Sequence, residues 1–258
     1  MFADKLTAKG QVRAPGARIT GHLVLQEASL VNPGANALSL DGAQIEGDVF
    51  AKKLTAKGQV RAPGARITGQ LVLQEASLVN PDANALSLDR AQIEGGVFAD
   101  KLTAEGQVLA LGARITGQLG LQEASLVNPD ANALSLDGAQ IEGDVFAKKL
   151  TAEGQVLALG ARITGQLGLQ EASLVNPDAD ALSLDRAQIE GGVFAKKLTA
   201  EGQVLALGAR ITGQLGLQEA SLVNPDADAL SLGGAQVEGG VFAKKLTAEG
   251  QVLALGAR

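Results

Sequence analysis

Gly64-Ala65-Arg66-Ile67-Thr68-Gly69-Gln70-Leu71-Val72-Leu73-Gln74 decides the fold, because the chain writes it repeatedly at fixed intervals. Gly42-Ala43-Gln44-Ile45-Glu46-Gly47 stands 22 residues before it, and Gly16-Ala17-Arg18-Ile19-Thr20-Gly21 a further 26 residues back. Phe at 2, 50, 98, 146, 194 and 242 marks the sum, a period of 48. Residues 146–193 and 194–241 differ only at Asp185/Gly233, Arg186/Gly234 and Ile189/Val237. A period of about 20–50 residues is the signature of a solenoid, propeller or array. The four extra residues of the long unit lie at Val31-Asn32-Pro33-Gly34-Ala35-Asn36, opposite Lys57-Gly58. Asn-Pro followed by Gly or Asp is a turn signal, so the excess reads as a loop bulging from a constant coil.

Within each unit the apolar residues alternate over pieces of four to five residues: Gln70-Leu71-Val72-Leu73-Gln74, Ala76-Ser77-Leu78, Ala85-Leu86-Ser87-Leu88, Ala91-Gln92-Ile93. Period-two alternation bounded by Gly, Asn and Asp predicts strands. Strands this short are unstable alone and gain stability when coil stacks on coil. The prediction is an all-β chain: one single-stranded, right-handed parallel β-helix over residues 1–258, about 24 residues per coil, alternating 26 and 22. The hand follows the general crossover preference. Roughly eleven coils at about 4.8 Å per rung give a rod on the order of 50 Å long.

Stacking fixes which residues share a column. Glu27 falls on Lys53, then Glu75, Lys101, Glu123, Lys149, Glu171, Lys197, Glu219 and Lys245, alternating in sign at every rung. Opposite charges stacked in a sheet help, and like charges hurt. Ala28 meets Leu54 while Leu30 meets Ala56, so volume is conserved between rungs. Arg18, Gln44, Arg66, Gln92 and Arg114 form one outward column. Thr20, Glu46, Thr68, Glu94 and Thr116 form another, within diagonal reach. Phe50, Phe98, Phe146 and Phe194 form a third, two rungs apart. If Leu71/Leu73 and Val97/Ala99 face in, these rings face out as an interaction stripe. The opposite parity would pack Phe over Gly120, Gly168 and Gly216 in the core, leaving apolar residues outside.

Composition excludes several chemistries. The chain has 258 residues with 33 Gly, no Cys, Tyr or Trp, one His and a formal charge of −6. That rules out disulfides, Cys-based zinc sites and thiol nucleophiles, and weighs against phosphate-driven nucleic-acid binding. No catalytic residue and no cofactor motif is expected. His22 is Gln at 70, 118, 166 and 214, which reads as drift. Asp82, Asp130, Asp178 and Asp226 top the inserted loops, joined by Asp180 and Asp228, and are the calcium candidates, with a plain turn as the expected reading. No cationic stretch followed by an apolar one opens the chain, and no run approaches the roughly 18 apolar residues of a membrane span. Neither assigns a compartment.

The Gly-Ala-x-Ile-x-Gly-x-Leu-x-Leu coil, as in Gly64 to Leu73 with Leu102-Thr103-Ala104-Glu105-Gly106-Gln107-Val108 following in the short coil, resembles bacterial, mainly actinobacterial, β-helical repeat proteins. The resemblance implies a β-solenoid throughout; some such proteins carry a membrane-associated oxidoreductase label. Ala76-Ser77-Leu78 and Ala91-Gln92-Ile93 echo, more distantly, pentapeptide-repeat proteins, whose gyrase mimicry would need a continuous acidic surface. Three functions follow as expectations. The first is a non-enzymatic structural or interaction rod, possibly surface-associated, that binds protein or itself, by the Phe stripe or by end-to-end stacking of uncapped terminal rungs. The second is the repeat portion of a larger enzyme or membrane-associated protein whose active region lies elsewhere. The third is a DNA-mimic topoisomerase-protection module.

Overall fold

A computed structural model describes residues 3–258; Met1 and Phe2 lie outside the described residues. Strands pair in parallel with their counterparts in the coils before and after, those of the terminal coils on one side only, at the alternating offsets of 26 and 22: Leu71 opposes Val97, and Val97 opposes Leu119. The structure is the all-β stack of coils that the repeat predicts. One coil runs through three sheets. Leu71–Val72 lies on a ten-stranded sheet that also holds Val97–Phe98, here the Phe face. Ser77–Ser87 lies on a twelve-stranded sheet, the long face. Gln92–Ile93 lies on a second ten-stranded sheet, the Arg face.

The strands are not uniformly four or five residues long. Two faces carry two-residue strands, and the long face carries strands of seven residues in short coils and eleven in long ones. Each piece still alternates, with Leu71 and Leu73 buried and Val72 between them half-buried on the outer side. Tight corners cut the paired stretch to two residues. At the corner after the Phe face, Ala76 N–H donates to Leu73 O at 3.1 Å, and Glu75 takes φ 58°. Eleven successive Lys and Glu residues, from Lys5 to Lys245, hold this left-handed conformation at the same corner. An L side chain pays roughly 1–2 kcal/mol for it. Stacking offsets the cost: Glu75 N–H donates to Asp100 O at 3.0 Å, and Lys101 N–H to Gln122 O at 2.8 Å.

The four extra residues of the long coil bulge where the long face bends. Ser77–Val79 pairs with Thr103–Glu105 and Leu86–Ser87 with Val108–Leu109, with the register shifting between. Asn80 closes the bulge by donating Nδ2–H to Asn84 O at 2.8 Å. In the next coil Gly106 passes against it at φ 107°, where a Cβ would stand 2.3 Å from Asn80 O and 2.4 Å from Ala83 O. Only glycine fits there.

Inside, Ile45, Ile67, Ile93, Ile115 and Ile141 form one buried column, and Ala28, Leu54, Leu30 and Ala56 exchange large for small as the alternation requires. The described core holds no charged side chain; its buried polar residues are Ser and Asn.

Repeats one and two differ from the later ones at a corner between the long and Arg faces. There Asp41 accepts from Arg61 Nε at 2.9 Å, and the Arg61–Asp41 ion pair closes to 2.8 Å. Later coils put Leu at both places, Leu109 for Arg61 and Leu111 for Pro63. Leu111 N–H then donates to Asp89 Oδ1 at 3.1 Å, as Leu159 does to Asp137 at 2.9 Å. Pro63 has no N–H to give, so the arginine serves its aspartate instead. Arg61→Leu alone is expected to cost about 1 kcal/mol, because Asp41 loses its strongest donor. Arg61→Leu with Pro63→Leu restores most of it, since the new amide reaches Asp41. Denaturant melts of the single and double variants check this; additive losses would contradict it.

Candidate interaction face

On the Phe face the rings of Phe50, Phe98, Phe146 and Phe194 point outward and are half-buried. Their flanking residues, such as Val97 and Ala99 beside Phe98, are buried. The stripe is less open than an outward column suggests, because rings fold over the backbone beside them and His22 leans on one. The ring of Phe194 folds over Gly192, whose Cβ would stand 3.0 Å from Phe194 Cε2, and Phe98 lies the same way over Gly96. His22 stacks obliquely on Phe50, with ring centroids 5.6 Å apart, and its Nδ1 accepts from Asp48 N–H at 3.0 Å.

The residue in register between consecutive rings changes along the rod. Val24 and Val72 fill that place beside Phe50 and Phe98. From there on it is glycine: Gly168 pairs with Phe146 on one side and Phe194 on the other. Missing side chains leave open notches. One is lined by Gln122, Phe146, Lys148, Gln170, Glu171, Lys196 and Lys197. The next has the same residue types 48 positions on: Gln170, Phe194, Lys196, Gln218, Glu219, Lys244 and Lys245. Each notch therefore sets three lysines against one glutamate on a chain whose overall charge is −6.

The rim belongs to the alternating Lys/Glu column. Lys5 reaches Glu27 at 3.7 Å, Lys53 reaches Glu75 at 3.7 Å and Lys101 reaches Glu123 at 3.8 Å. Lys148 and Lys196 reach Glu171 and Glu219 at 3.8 and 3.9 Å. A hydrogen bond from Lys52 holds the Glu75 carboxyl below the usual carboxylate range, with the charges of Lys52, Lys53 and Lys101 adding to it against desolvation. Lys197, Lys244 and Lys245 form no ion pair among the described residues. The diagonal pairs sit on the Arg face: Arg66 meets Glu94 at 2.9 Å, and Arg114 and Arg162 meet Glu142 and Glu190 at 2.8 Å. These exposed pairs favour the register and add little stability each.

Asp82, Asp130, Asp178 and Asp226 stand exposed, one in each bulge after the first, where Gly34 takes the place, and the fold does not gather them. No group of three or more His, Asp or Glu able to hold a metal occurs among the described residues. The composition reading missed a second apolar feature. Leu111, Leu159 and Leu207 are 36–38% exposed at successive corners. Its signal is the change from Ala-Pro-Gly to Ala-Leu-Gly between repeats two and three.

The chain matches no protein-family model and no curated protein. Among solved structures it is similar to HetL, a pentapeptide repeat protein involved in heterocyst differentiation regulation from the cyanobacterium Nostoc sp. strain PCC 7120. The two share 19% identity over 92% of this chain and 87% of that one, with a TM-score of 0.32.

One bulge carries a titration. Asp180 takes the place of Asn84 and Asn132, and burial raises its carboxyl above the ordinary 3.8, with the nearby charge of Asp185 adding to the effect. A raised folded value means that ionisation costs more in the folded chain than in the unfolded one, so stability falls as pH climbs through the folded value. Asp180→Asn is expected to raise the melting temperature at neutral pH. The gain fades as pH falls through 3.8, the ordinary aspartate value, and is gone once both states hold the proton. Thermal melts across that range check the sign.

Proposed function

We propose that this chain is a non-catalytic repeat rod whose Phe face is a contact surface for a protein partner or a second copy. One observation carries the reading: the same notch of ring, lysines, glutamines and glutamate recurs two rungs on, with no coil between departing from the pattern. Catalysis needs one unsymmetrical constellation of groups, and here the acids and bases lie in ladders that repeat. A recurring aromatic and basic face suits a ligand that is itself extended and repetitive, or another rod of the same pitch. Half-buried rings with basic rims supply apolar contact area and orientation together.

The test replaces Phe98, Phe146 and Phe194 together by Ser. These positions face outward, and Gly already stands beside them in the column, so the circular dichroism spectrum should stay that of the parent. Sedimentation velocity is expected to show the parent associating as concentration rises and the variant remaining a monomer. A variant that associates as the parent does would exclude the Phe face as the contact.

A further inference from the structure

The two notches share a spacing that selects the shape of what fills them. They lie two rungs apart, about 9.6 Å at about 4.8 Å per rung. Gln170 and Lys196 line both, so the groove is continuous from one to the next. A bound chain running along the rod must present an apolar group at that interval on one side. A β-strand presents alternate residues about every 6.6 Å, and its third neighbour points away. An α-helix returns to the same face after seven residues, about 10.5 Å, and slips by about 1 Å per notch. A polyproline II helix has three residues per turn and rises about 3.1 Å per residue, so every third side chain returns after about 9.3 Å. The slip is then about 0.3 Å per notch.

We propose that the groove over Phe146 and Phe194 binds a proline-rich segment in the polyproline II conformation, with proline at every third position and acidic residues between. This deepens the reading of the Phe face as a contact surface. A proline ring enters each notch against the phenyl ring, and Gly168 leaves room between the rings where Val24 and Val72 stand in the early repeats. Polyproline II has no internal hydrogen bonds, so its carbonyls are free to accept from Gln122, Gln170 and Gln218 at the rim. The excess of lysine over glutamate sets the sign of the partner. Lys197, Lys244 and Lys245 are uncommitted to ion pairs among the described residues and face acidic side chains of the ligand. Docking of preformed polyproline II in an aromatic-lined groove keeps the entropy cost of binding low.

The experiment is fluorescence anisotropy with a labelled peptide of five Pro-Pro-Glu triplets, titrated with the full chain. Two control peptides accompany it: Pro-Pro-Pro-Glu units, which break the period of three, and Gly-Ser-Glu units, which keep the charge alone. The expected result is saturable binding of the first, weaker by about tenfold or more for both controls. Gly168→Val with Gly216→Val fills the space between the rings. Val occupies this column natively at 24 and 72, and the Cβ added at Gly168 is tight only against the end of the Gln170 side chain, at 3.0 Å, with Val145 O at an ordinary 3.6 Å, so the fold is kept. That variant is expected to lose at least about tenfold in affinity. Equal binding of the charge-only peptide, or an unaltered affinity in the Val variant, would overturn the proposal, as would no binding of the Pro-Pro-Glu peptide at all. The Phe→Ser sedimentation result is a separate readout: loss of association there with no peptide binding here would sink the ligand assignment and leave the contact face standing.

Discussion

In-register parallel stacking makes each residue's upper and lower neighbours its own counterparts in the adjacent coils. With one identical coil repeated, every charge would sit on a like charge and every large side chain on a large one. The alternation of 26 and 22 residues removes that conflict. Glu75 lies between Lys53 and Lys101, and Leu30 lies against Ala56. Each ion pair is exposed and contributes little alone. Their sign matters more than their sum, because skipping one coil would put like charge on like charge at that junction.

The same constraint acts on the backbone where coils approach most closely. Between the Arg and Phe faces, Gly95, Gly117 and Gly143 stack directly. A Cβ on Gly143 would meet Gly117 C and O at 2.8 Å, and one on Gly117 would meet Gly96 N at 2.7 Å. From Gly47 onward this corner therefore leaves no room for a side chain, whereas the Lys/Glu corner accepts long ones in a left-handed backbone. The difference lies in what faces each corner. At the glycine corner the preceding coil's backbone occupies the space, and at the Lys/Glu corner solvent does.

Much of this was legible in the residues. The period gave the coil, the two unit lengths gave the columns, and period-two alternation placed Leu71 and Leu73 inside and Phe98 outside. The diagonal from Arg66 to Glu94 followed from the same arithmetic. What the pattern does not carry is geometry smaller than a coil. It does not say that only two residues of each short piece pair, because a corner's tightness depends on backbone angles. Nor does it show that Phe194 leans over Gly192, which depends on the absence of a Cβ two residues away. The Arg61–Pro63 pairing is present in the letters, but it becomes readable only once Asp41 is known to lie one coil below.

Selection acts differently on the two sides of such a wall. Inward columns hardly change from repeat to repeat, since a core residue must fit two neighbours at once. Outward columns change in blocks: Val24 and Val72 give way to Gly120, Gly168 and Gly216, Lys9 and Lys57 to Glu105 and Glu153, and Arg61 to Leu109. Where an outward residue carries a structural load, as Arg61 does, a second substitution accompanies it. Where it carries none, as at Val72 and Gly120, the change alters the shape of the surface without touching the stack. The Phe face is the place where such a change produces a repeated concavity rather than a flat wall. The rod's pitch then sets the spacing of whatever chemistry that concavity holds.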